Sequence, residues 1–220
     1  MQAEPQSPHT ASAMTAEDIE ALFRRADGSF AFARWGRPLA PVVFGVQAQT
    51  LGTIKGAIEA LCTLAEHQMA ETDPQLGSNF MWFFCRDWEE LGQVPGLDGL
   101  VTDLPKLLAK LKAAEANQYR LFRFDAEGAI MACFLFLRMD EQLRAVSAQA
   151  LALAQAAQSM LLWSDLAFRE QAPLVTAGQN TILRPEIGAV IRASYDPVLP
   201  ASGSDASLAL RLFARMGALQ

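Results

Sequence analysis

The spacing of apolar residues predicts strands in the first two thirds of the chain and helices at its end. Short apolar or alternating runs, which are typical of strands, occupy residues 30–35, 41–46, 79–87, 118–124 and 129–139. Apolar residues that recur every three or four positions predict helices over residues 15–25, 50–69, 105–116 and 205–216, with a further helix that begins at Pro185. Stretches rich in Gly, Pro, Asp and Ser separate these segments.

The strongest local prediction is a β-hairpin around the sequence DAEG, residues 125–128, which ends in Gly. In the strand that follows this turn both faces are apolar, one formed by Met131, Cys133, Leu135 and Leu137 and the other by Ile130, Ala132, Phe134 and Phe136. We therefore expect this strand to lie inside the sheet with cover on both faces, and residues 79–87 to lie beside it or one strand away. In the first strand of the hairpin, residues 118–124, Arg120 and Arg123 are expected to point partly outward.

Residues 145–164 contain no ionisable side chain. A helix of this length would just cross the hydrocarbon core of a membrane, which is about 30 Å thick. However, Gln149, Gln155 and Gln158 carry amides that lipid would leave poorly satisfied, and much of the remainder is alanine, a strong helix former. The segment is therefore predicted to form one helix, from residue 145 to about residue 168, buried inside the domain.

This order of elements predicts the α+β class: a mixed β-sheet covered by helices, a long buried central helix, and a C-terminal part that is all helical, about residues 169–220. Residues 15–220 are expected to form a single domain. Residues 1–14 are polar and are expected to form a flexible tail.

Composition narrows the classes of partner. The net charge is -6, the Lys and Arg residues are scattered, and neither nucleic acid nor a membrane is expected as a partner. The three cysteines, Cys62, Cys85 and Cys133, have no zinc-type or redox-type spacing and are expected to be buried free thiols. Because the first residues show no secretory signal, a cytoplasmic location is expected.

Few residues carry recognisable chemistry. The chain has two histidines, His9 and His67, and no motif for a nucleophilic serine, a dinucleotide or a phosphate-binding loop. We therefore predict no metal site, no cofactor and no catalytic triad. His67, near the end of a predicted helix, is expected on a solvated face, where the helix C-terminus would favour its protonated form.

Some polar and aromatic residues near the sheet are candidates for a ligand or interface site. Each charged member could instead be part of a buried ion pair that stabilises the fold. These candidates are Trp35, Arg37, Asp87, Trp163 and Asp165.

The order of elements and several short phrases resemble an uncharacterised, zincin-like family of bacterial domains of unknown function. The phrases are RWGRP (34–38), VVFG (42–45), RFDAEGAI (123–130) and YDPVLP (195–200). The resemblance implies a sheet with an antiparallel edge strand, followed by one long central helix that carries a metal-binding His-Glu pair. At the corresponding positions this chain has Leu153 and Ala154, neither of which binds a metal or acts as a base.

The resemblance therefore implies a pseudoenzyme whose central helix has lost its metal ligands, and a non-catalytic binding or interaction module of unknown ligand. Two alternatives stay open. One is an enzyme that acts on a small molecule through Asp87, Asp165 and Arg37 at the lining of a cleft. The other is a plain protein-protein interaction domain that uses exposed apolar surface.

Overall fold

The computed structural model describes residues 14–178 and 180–218 of the chain. Within these residues the strands are β1 (Phe32–Ala33), β2 (Pro41–Phe44), β3 (Phe80–Cys85), β4 (Gln118–Phe124), β5 (Ile130–Arg138), β6 (Leu174–Ala177), β7 (Asn180–Leu183) and β8 (Ser202–Gly203). The helices are α1 (Ala16–Ala21), α2 (Ala48–Leu64), α3 (Leu97–Leu100), α4 (Leu104–Ala113), α5 (Glu141–Arg144), α6 (Ala148–Met160), α7 (Pro185–Ser194) and α8 (Ser207–Ala218), with a 3-10 helix at Trp88–Gln93. A mixed sheet combined with helices is the α+β class that the sequence predicts.

The central sheet has four strands in the order β2-β3-β5-β4. Strands β2, β3 and β5 are parallel, whereas β4 joins β5 as an antiparallel hairpin and forms one edge. The predicted hairpin turn is confirmed: the Asp125 carboxylate accepts hydrogen bonds from the backbone N–H groups of Glu127 and Ala129. Strand β5 is interior and lies directly beside β3, as its apolar sequence predicts.

Helices cover both faces of this sheet, which confirms the prediction that β5 is covered on both of its apolar faces. On one face, Cys133, Leu135 and Leu137 pack with helices α2, α6 and α7 in the larger core. On the other face, Phe134 and Phe136 pack with the 3-10 helix, α3 and α4.

The prediction for Ile130 was wrong, because Ile130 packs in the larger core and not with Phe134 and Phe136. The pairing of β4 with β5 shifts register between Arg123 and Phe124. A bulge of this kind interrupts the alternation of side chains along the two strands.

The predicted long helix over residues 145–168 is wrong in its extent. Helix α6 begins after Ser147, whose side chain caps the backbone N–H of Ala150. It ends at Met160, because Leu161 adopts extended backbone angles and pairs with Arg34 beside β1. The burial prediction holds for most of α6, where seven of the 13 residues are buried.

The prediction of an all-helical C-terminal part was also wrong. Residues 169–218 contain the hairpin of β6 and β7, and β8 pairs with β1. Helices α7 and α8 pack into the larger core, which includes residues from Ile19 to Met216. The predicted tail lies outside the described residues except for Met14.

None of the helices in the described parts of the chain is both long enough and apolar enough to cross a membrane. The uncharged run that raised this question forms a helix of 13 residues. Its Gln155 and Ser159 are buried and hydrogen bonded to other protein groups.

Substitution of Phe136 by Ala tests the interior position of β5. The side chain is fully buried between β5 and the layer formed by the 3-10 helix, α3 and α4. Its loss should therefore lower the free energy of unfolding by about 3–5 kcal/mol. The control is Glu127→Ala in the exposed hairpin turn, which should cost under about 1 kcal/mol. Equal denaturation midpoints for the two variants would place β5 at an edge.

Candidate functional site

The two candidate tryptophans lie in filled core. Trp35 is fully buried and donates a hydrogen bond from Nε1 to the carbonyl oxygen of Ser159, 2.9 Å away. Trp163 stacks on Phe23, with ring centroids 5.4 Å apart, and meets the edge of Phe168. Neither indole faces a described cavity, so both stabilise the fold.

The two candidate aspartates are exposed and lie outside these aromatic clusters. Asp87 precedes the 3-10 helix, and its carbonyl oxygen accepts a hydrogen bond from the backbone of Glu90. The carboxylate of Asp165 lies 3.9 Å from the guanidinium of Arg169, which is one helical turn away in sequence and also exposed. An exposed pair of this kind contributes little to stability.

Arg37 is the candidate that joins a buried polar network. Its guanidinium lies 3.4 Å from the carboxylate of Asp73 and 3.0 Å from the side-chain oxygen of Gln75. Burial alone would raise the pKa of Asp73, but the backbone N–H groups of Leu76 and Gln75, with Asn79 and Arg37, outweigh it and lower that pKa below its usual range.

The structure does not bring the candidate carboxylates to Arg37. Asp73 accepts a hydrogen bond from Asn79, which directly precedes β3, whereas Asp87 follows the other end of that strand. Six residues of strand span about 20 Å. A single cleft lined by Arg37 and Asp87 is therefore absent from the described residues.

The position of His67 differs from the prediction. Helix α2 ends at Leu64, and His67 lies half-buried beyond it, with Nε2 donating a hydrogen bond to the carbonyl oxygen of Arg37 at 2.9 Å. Its ring contacts Tyr195, and the guanidinium of Arg34 lies 5.6 Å from the centre of the Tyr195 ring. Burial lowers the pKa of His67 and the charge of Arg34 acts in the same direction, although the hydrogen bond to Arg37 opposes them.

Strand β2 forms the second edge of the sheet, and the chain pairs with only the beginning of that edge. The N–H of Leu39 donates to Gln68, and its carbonyl oxygen accepts from Ala70, so residues 68–70 run parallel beside Leu39. The chain then turns away at Glu71. Among the described residues none pairs with the outer edge of β2 itself.

An apolar groove of about 450 Å³ lies where that pairing stops. One wall is helix α2, the other is β2, and the segment around Met69 closes one end. The residues that line it are Pro41, Val43, Leu51, Ile54, Lys55, Ile58, Glu59, Met69, Ala70 and Glu71. Leu51 keeps 44% of its surface exposed, so the groove contains an apolar side chain that is accessible to a partner.

A second hollow of about 340 Å³ lies at the carboxyl ends of the parallel strands, where open α/β sheets often bind ligands. Gly45, Phe84 and Met139 line it, together with the first turns of α2 and α6. Arg144 is its one ionisable lining residue, and no carboxylate is present among them. The hollow therefore has no acid-base pair.

The described residues contain no group of three His, Cys, Asp or Glu side chains placed to hold a metal ion. Cys62, Cys85 and Cys133 are buried free thiols. Burial raises the pKa of each thiol to about 12, which leaves them uncharged at neutral pH.

Leu51, Ile54, Ile58 and Leu61 recur at steps of three and four, a spacing that predicts one core-facing stripe of α2. Sequence reasoning therefore missed the groove. Ile54, Ile58 and Leu61 of that stripe are buried, but Leu51 is exposed and lines the groove. The strand-like phrase VVF next to an apolar helix was visible in the sequence. Nothing in the sequence indicated that β2 would be an edge strand.

Below about pH 6.5, the usual pKa of histidine, the protein should lose stability through His67. Because the pKa of His67 is lowered in the folded state, the unfolded chain takes up more protons as the pH falls through this range. Replacement by Gln keeps an N–H donor for Arg37 and removes the titration. Chemical denaturation at pH 7.5 and pH 5.5 should show a larger loss of unfolding free energy for the native chain than for His67→Gln, and equal losses would contradict the buried position.

Likeness to known proteins gives no further guide to these residues. Comparisons of the chain with family models, with curated protein sequences and with solved structures give no match. The groove beside β2 and the polar groups around it are therefore interpreted from their own geometry.

Proposed function

We propose that this chain is a non-catalytic binding module of zincin-like architecture, and that it binds an extended peptide segment of another protein along the outer edge of β2. The observation that supports this most directly is the incomplete fifth strand position. Residues 68–70 occupy its beginning beside Leu39, and the groove follows where they leave it. A peptide that continued this position would extend the sheet by one strand.

The backbone of β2 supplies hydrogen-bonding groups for such a peptide. The carbonyl oxygen of Ala40 accepts from Phe80 of β3, whereas both backbone groups of Leu39 point the other way, to residues 68–70. Successive residues of a strand point their backbone groups to opposite sides. The N–H and C=O of Val43 therefore point outward, as does the C=O of Pro41. Because Pro41 has no N–H, Val43 is the first residue of β2 whose outward N–H can donate a hydrogen bond to an added strand.

Side chains of an added strand would meet apolar surface on both faces of the sheet. On the α2 side they would enter the groove beside Val43 and Leu51. On the opposite side they would meet Phe44, which is 45% exposed and stacks on Phe83. Strand β2 carries no charged residue, so its own protection against pairing with another chain comes from its short length and from Pro41.

The charges around the groove indicate what kind of peptide fits. Lys55 and Glu59 lie 3.8 Å apart on α2, so they largely balance each other at the rim. Glu71 adds one negative charge where the chain turns away. A mixed rim around an apolar floor favours a segment with apolar residues at alternate positions over a highly charged one.

The order of the remaining elements supports the zincin-like part of the proposal. The antiparallel edge strand β4 is followed by β5, by the four-residue helix α5 and then by α6, so the sheet precedes the central helix as the resemblance implies. Leu153 and Ala154, which the resemblance aligns with the metal-binding pair, are half-buried on α6.

The alternative enzyme is less well supported. A hollow of about 610 Å³ lies near Trp163, with Phe168 in its lining, but Arg37, Asp87 and Asp165 are not among the described residues that line it. Asp87 is also distant from Arg37.

Selection of displayed random peptides on the full chain tests the groove. Peptides recovered from the native chain should contain alternating apolar residues, and they should bind Leu51→Glu at least about tenfold more weakly, because an unpaired carboxylate would be desolvated at the groove. The matched control is Leu100→Glu, at a leucine with the same exposure of 44% on α3, outside the lining of the groove. This variant should bind the peptides as the native chain does.

Amide hydrogen exchange locates the bound peptide independently of mutation. Exchange at the N–H of Val43 should slow when a selected peptide is added, because that donor gains a hydrogen bond at the edge. If the peptides bind Leu51→Glu and the native chain equally, or leave the exchange at Val43 unchanged, the edge of β2 is not their binding site.

If α6 is the degenerate helix that the resemblance implies, the purified protein carries no stoichiometric zinc. Under this proposal Leu153 and Ala154 replace the ligand pair, so a chelator has no structural metal to remove. Elemental analysis should find well under one zinc per chain, and the thermal midpoint should be the same with and without EDTA. One tightly held ion per chain would contradict the pseudoenzyme proposal.

A further inference from the structure

A half-buried arginine lies between the β4 edge of the sheet and helix α6. Arg120 of β4 donates from Nε to the hydroxyl oxygen of Ser159, 3.2 Å away, and from Nη2 to the side-chain oxygen of Gln155. Gln155 in turn donates to the side-chain oxygen of Gln118 at 2.9 Å. Contrary to the prediction that Arg120 points partly outward, its side chain is directed at α6.

The partners of this guanidinium are all neutral. Among the described residues no carboxylate lies within ion-pair distance of Arg120, although Arg37, Arg138 and Arg184 each have one. Helix α6 cannot provide a partner, because residues 145–164 contain no ionisable group. The nearby thiol of Cys133 is uncharged at neutral pH.

This arrangement leaves a positive charge partly removed from water without a counterion. Burial lowers the pKa of Arg120 to about 10, which reflects the cost of keeping the charged form there. A guanidinium has five N–H donors in one plane. The hydrogen bonds described account for Nε and for one donor of Nη2, so Nη1 donates to no described residue.

We propose that Arg120 and Gln118 form a binding site for a small oxyanion, of the carboxylate or phosphate type, beside the β4 edge. Residues two apart on a strand share a face, so the Gln118 side chain lies on the same side of β4 as Arg120. Gln118 is exposed, and its amide oxygen is occupied by Gln155. Its amide N–H groups donate to no described residue, and the side chain of Gln155 links Gln118 to the guanidinium of Arg120.

An oxyanion would supply the missing negative charge and would accept hydrogen bonds from the planar fork of Arg120, the geometry that this side chain favours. The site is separate from the groove at β2, since β2 and β4 are opposite edges of the sheet. Binding at one edge can therefore be tested without reference to the other.

Titration of the native chain with inorganic phosphate and with acetate, at constant ionic strength held by chloride, tests the site. With the arginine side chains labelled by ¹⁵N, the Nε–H signal of Arg120 should shift in a saturable way with at least one of the two anions. A response to phosphate alone would identify phosphoester-type ligands, and a response to acetate alone would identify carboxylates. If neither anion moves the signal, the proposal is overturned.

Two variants give the matched comparison. Arg120→Gln retains a side-chain amide that can bond to Ser159, and it should bind the anion at least about tenfold more weakly than the native chain. Arg123→Gln, which removes an exposed guanidinium bonded to the carbonyl oxygen of Leu100, should bind like the native chain. Equal affinities for the native chain and Arg120→Gln would overturn the proposal.

Thermal stability with and without the anion separates an anion site from a purely structural arginine. Arg120→Met removes the desolvated charge, but it also leaves the buried side-chain oxygen of Gln155 without its donor, so each protein is compared with itself in chloride and in the test anion. Phosphate or acetate should raise the unfolding temperature of the native chain and not that of this variant. Equal stabilisation of both proteins by the anion would overturn the proposal.

Discussion

Strand β5 is buried on both faces and bonded on both edges, and this position requires two helical layers and two flanking strands. The aromatic face, with Phe134 and Phe136, needs the cover that the 3-10 helix, α3 and α4 provide. The opposite face, with Cys133 and Leu135, packs with α2, α6 and α7. Because burial of apolar surface is the dominant favourable term in folding, the remaining elements are arranged around this strand.

A central strand of this kind leaves the edges of the sheet to less apolar segments. Strand β4 is the antiparallel edge and carries arginines, which is a common protection against pairing with other chains. Strand β2 is short and begins with Pro41, but its remaining residues are apolar and the adjacent groove is open. The difference between the two edges is why peptide binding is assigned to β2 and anion binding to β4.

Two buried polar clusters are balanced differently. Near the amino ends of the parallel strands, Asp73 is stabilised by backbone N–H groups and by Arg37, so that its charge is compensated. Under α6, Arg120 has only amide and hydroxyl partners among the described residues. A compensated charge stabilises a fold, whereas an uncompensated one is a place where a ligand can supply what the chain lacks.

The sequence by itself determined the elements whose signals are local. The capping motif Thr15-x-x-Asp18, the turn at DAEG and the proline at the start of α7 act within a few residues, and the structure contains all three. Two apolar faces predicted the interior place of β5 for the same reason, since alternation along a strand is a local property.

Only the tertiary structure decided where elements stop and which surfaces stay open. No glycine or proline ends α6; it ends because Leu161 pairs with Arg34, more than a hundred residues earlier in the chain. Likewise Leu51 reads as a core residue by its spacing, but it lies at an open groove because β2 is short and has no outer neighbour. Arg120 reads as a surface residue of an alternating strand, and it is half-buried because α6 packs over that face of β4. Contacts between distant segments determine these outcomes, and a local sequence pattern carries no information about such contacts.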